Sequence, residues 1–60
     1  MNRREEIEQA IEVWAKKNPH FGVEQLMDMV FFQVFGAWNG TETDKRNMAL
    51  IRWLLIKYCI

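Results

Sequence analysis

The side chains able to do chemistry in this chain are few. There is one histidine, one cysteine and no serine anywhere. His20 follows Pro19 in "KKNPHFG", and no nucleophile stands near it for a base to activate. Nucleophilic catalysis needs that pair within hydrogen-bond reach. Cys59 is the penultimate residue of the apolar run "LLIKYCI", and apolar surroundings favour the neutral, inert thiol. One cysteine and one histidine fall short of the four nitrogen or sulfur ligands of a structural zinc site, so no metal is expected. The carboxylates of Glu8 and Glu12 lie one turn apart on a helical pattern and read as a solvated face. No glycine-rich phosphate loop occurs. A non-catalytic protein without cofactor or small-molecule substrate is the expectation.

One cluster invites a nucleic-acid reading. In "TDKRN", Lys45, Arg46 and Asn47 open the third of three helical segments, where a helix-turn-helix protein contacts bases. Three observations weigh against it. Eight Lys and Arg balance eight Asp and Glu, for a formal net charge of zero, whereas DNA-binding domains carry a basic excess. The connection before the segment exceeds the usual three- to four-residue turn. The rest of that helix offers a groove no polar face. DNA binding through Lys45, Arg46 and Asn47 is therefore the alternative reading.

The elements that hold these residues follow from spacing. Asn2 can cap a first helix, with Glu5 three residues on in a capping-box arrangement. Ile7, Ala10, Ile11 and Trp14 recur at helical spacing, and Glu12 can pair with Lys16 at i,i+4. Asn18-Pro19 ends the segment, because proline disfavours the α conformation of the residue before it. A second helix starts at "FGVEQL", with Gly22 as N-cap and Phe21 and Leu26 at the positions of a hydrophobic staple. Val23, Leu26, Met27, Val30, Phe31, Val34 and Trp38 share one face of it, while Met29 and Phe32 fall outside. "WNG" ends it, Asn-Gly being a turn signal, and Gly36 offers an earlier stop. Thr41 and Asp44 have capping-box spacing for the third helix, with Thr43 as rival cap. The expectation is an all-α, compact three-helix domain over 1–60, with helices near 2–17, 22–37 and 43–58. Its expected core is Ile11, Trp14, Leu26, Val30, Val34, Leu50, Trp53 and Leu54, with Trp14 packed against the third helix.

That third helix poses the main question. In "MALIRWLLIKYCI" eleven of thirteen side chains are apolar, and on a helical wheel they fill every sector, broken only by Arg52 and Lys57. Such a helix is enclosed by protein or by lipid. Thirteen residues are fewer than the roughly 20 a bilayer span needs, and two basic residues make a poor polar face for an interfacial helix. Half the chain is hydrophobic, yet a domain of this size buries only about 60% of its unfolded surface. Without disulfide or metal, dense packing or oligomerisation must compensate. The expectation is a small interaction module or regulator that self-associates through its C-terminal helix. The side chains expected to meet another chain, most simply a second copy, are Met29, Phe32, Arg52, Trp53, Ile56 and Ile60. The N-terminal "MNRREEIEQA" lacks an apolar signal region and the cysteine is single, so the expected compartment is the cytoplasm.

Overall fold

The computed structural model describes residues 2–59 and contains three helices, with no strand among the described residues. They are α1 (Arg3–Lys17), α2 (Val23–Phe35) and α3 (Glu42–Cys59). Each start is capped as its sequence suggests, with differences in detail. Asn2 Oδ1 accepts from the backbone N–H of Arg4 at 2.9 Å, satisfying one of the orphan donors of a helix N-terminus. Gln25 Oε1 accepts from Gly22 N–H at 2.9 Å, the side-chain half of a capping box. Both staple residues, Phe21 and Leu26, join the core. At α3 the rivalry between Thr41 and Thr43 is decided for Thr41, whose Oγ1 accepts from Asp44 N–H at 3.0 Å. Asp44 does not reciprocate; its carboxylate accepts from Asn39 N–H at 2.8 Å and ties the incoming loop to the helix.

The second helix ends earlier than residue 37. Gly36 takes φ 91° and ψ −154°, and its N–H closes the last turn on the Phe32 carbonyl. Trp38 therefore leaves the helical face expected of it and stands in the loop. It still reaches the aromatic side of α2, meeting Phe31 edge-on with ring centroids 5.3 Å apart.

Among the described residues nine side chains form the buried core: Ile7, Ala10 and Ile11 of α1, Leu26, Val30 and Phe31 of α2, and Ile51, Leu54 and Leu55 of α3. Four of the eight expected core residues are among them (Ile11, Leu26, Val30 and Leu54). Trp14, Val34 and Leu50 are half-buried at its edge. Trp14 packs against the core cluster and is tied to α2, since its indole N–H donates to Gln33 Oε1 at 2.6 Å. Trp53 is a correction. It is 52% exposed, because the inward phase of α3 is held by Ile51, Leu54 and Leu55 and leaves Trp53 on the flank. No helix of the described residues is long and apolar enough to cross a membrane.

Candidate functional site

Of the side chains with catalytic potential, Glu8 and Glu12 line one hollow with Lys57 and Tyr58. His20 is exposed in the α1–α2 turn. Glu8 and Glu12 are spent on ion pairs within α1: Arg4 to Glu8 at 3.9 Å and Lys16 to Glu12 at 3.0 Å. The hydrogen bond and negative charge of Glu12 raise the Lys16 ammonium above its ordinary pKa. These pairs are solvent-exposed and worth little. Among the described residues no three His, Cys, Asp or Glu side chains are grouped as a metal site requires. Of Cys59 only the helical backbone is described, and Ile60 lies outside the described residues.

The basic opening of α3 does not form one face. Lys45 turns to Glu42, 3.7 Å away. Arg46 is exposed and Asn47 is half-buried. Glu42 and Asp44 add two carboxylates to the same first turn, where a phosphate backbone would be repelled.

Apolar surface is what the molecule does offer. The expected partner-binding side chains divide between two helices. On α2, Met29 and Phe32 stand one turn apart, and Phe32 is 68% exposed. On α3, Arg52, Trp53 and Ile56 form the outward face, with Ile56 40% exposed. Trp53 is partly shielded from within the molecule. The Arg4 guanidinium lies 5.5 Å from its ring centroid and the Lys57 ammonium 4.9 Å, each contact worth roughly 0.5–1 kcal/mol at an exposed site.

Between the two helices runs an open groove of about 590 Å³, the size class of binding clefts. Met27, Phe31 and Phe32 of α2 form one wall, and Trp38 of the loop and Met48 of α3 the other. The charged residues lining it are both acids, Glu24 and Asp28. Among the described residues Phe32 is the one expected partner residue in this groove. Met29 lies beyond it, over a shallower hollow shared with Phe21, Gln25 and Asp28. Trp38, Met48 and the two carboxylates escape a reading by helical wheel, since the groove depends on the chain turning at Gly36. The positive-φ glycine followed by Asn-Gly is the signal that could have located it.

Neither a protein-family model, nor a curated protein, nor a solved structure matches the chain.

Proposed function

We propose that this protein is a small, non-catalytic helical interaction module that acts by binding another protein chain, in the first instance a second copy of itself, through the outward face of α3. The observation that carries the reading is the placement of Ile56, Trp53 and Phe32 in solvent while the core beneath them is already filled. Trp53 and Ile56 stand one turn apart on α3, both exposed, and exposed apolar surface grouped in this way is the kind that marks an interface. Aromatic residues, Met and Arg are the types enriched there. A net charge of zero leaves little repulsion to keep copies apart. The engagement of Glu8 and Glu12 in ion pairs and the exposed turn position of His20 support a non-catalytic role, and a single cysteine suits a reducing compartment such as the cytoplasm.

Association couples to folding by mass action. Light scattering on a size-exclusion column, with thermal melts across a dilution series, tests the proposal. The expected result is a mass well above the 7.2 kDa of one chain and a melting temperature that falls on dilution. A 7.2 kDa species at high micromolar concentration, melting at a dilution-independent temperature, overturns it.

A further inference from the structure

We infer that the second copy is seated by charge as well as by apolar contact: the outward face of each α3 lies against the α2–α3 groove of the other copy, with Arg52 of one chain facing Glu24 and Asp28 of its partner. The inference rests on the self-association proposed above and specifies its register.

Three features of the monomer lead to it. Glu24 and Asp28 are i,i+4 neighbours of like charge on α2, an arrangement that costs a few tenths of a kcal/mol. Neither forms an ion pair among the described residues, a state they share with Glu5 and Asp44, whereas Glu6, Glu8, Glu12 and Glu42 are paired. Arg52 is exposed one turn beyond Met48, the α3 residue that lines the groove. It too has neither a carboxylate nor an aromatic partner among the described residues. Lys17 and Arg46 share that state, whereas Arg3, Arg4, Lys16, Lys45 and Lys57 each have a partner.

The groove is therefore an apolar strip, with Phe32 and Met48 in its lining, the two acids on its α2 side and Arg52 one turn beyond Met48 on its α3 side. A two-fold pair repeats every contact twice, and the direction of the axis decides the charges. An axis running across the strip sets acids against acids. An axis running along it sets the acidic side of each copy against the basic side of the other, so both charge contacts form at once. A wholly basic partner would satisfy Glu24 and Asp28 and confront Arg52 with like charge. A second copy satisfies all three.

Charge reversal tests this without touching the core, because all three side chains are exposed. One variant carries Glu24→Lys with Asp28→Lys, the other Arg52→Glu, and circular dichroism verifies that each keeps its helices. In sedimentation velocity each variant alone is expected to self-associate at least tenfold more weakly than the parent. An equimolar mixture of the two should recover the paired species, since each groove again meets an α3 of opposite sign. The parent pair should loosen with added salt. If the parent associates and both reversals leave its affinity within twofold, this register is overturned while self-association stands. Reversed chains that pair with themselves as well as with each other overturn it equally. A monomeric parent removes both readings and leaves the groove to a different chain.

Discussion

Gly36 carries the turn out of α2 at φ 91° and ψ −154°, a region open in practice to glycine alone. Nothing lies within 4 Å of where its Cβ would be, so the constraint is the backbone itself and not crowding. Gly36→Ala is expected to cost about 1–3 kcal/mol, and to displace Trp38 from Phe31 in near-ultraviolet dichroism. A variant melting with the parent would show that the turn accommodates a side chain. Arg3 works at the same junction from a distance. Its guanidinium lies 5.2 Å from the Phe35 ring centroid and donates to the Val34 carbonyl at 3.4 Å. It thereby brings positive charge to the end of a helix whose own last turn has none, where the dipole favours it.

At the scale of the elements, α1 and α2 were legible because each gathers most of its apolar residues on one stripe, with Val13, Met29 and Phe32 left outside it. Ile7, Ala10 and Ile11 are three positions of the α1 stripe, and all three are buried. Leu26, Val30 and Phe31 do the same for α2. In α3 the pattern has no phase: apolar residues surround the helix, so local sequence cannot say which of them turns inward. Size is a poor guide there, and the large indole of Trp53 was outcompeted by Ile51 and Leu55, which are fully buried. The groove was less legible still, being assembled from α2, a loop residue and α3. The energetic contrast within α3 is testable. Leu55→Ala should cost about 2–5 kcal/mol, a large part of the stability of a domain this small. Trp53→Ala should cost a monomer far less, mainly its two cation contacts. Chemical denaturation of both variants at low concentration, where association is weakest, makes the comparison. Equal losses would put Trp53 in the core after all.

As a whole the molecule measures 29 × 23 × 18 Å, and its nine buried side chains are a small core. Its stability is accordingly sensitive to whatever covers the outside. The setting of Trp53 makes that cover visible by light. Three tryptophans emit, and they differ in surroundings: Trp14 is half-buried and bonded to Gln33, Trp38 lies edge-on to Phe31, and Trp53 is bracketed by Arg4 and Lys57. A negative quencher such as iodide is drawn to two cations, and positive caesium is kept away. Trp53 emission in the dilute chain is therefore expected to be quenched more by iodide than by caesium, and Trp53→Phe should abolish most of that difference. Equal quenching by the two ions would show that the cations do not hold the ring. As copies pair and close over this face, iodide access should fall in step with concentration, so that the indole left outside the core becomes an intrinsic optical gauge of assembly.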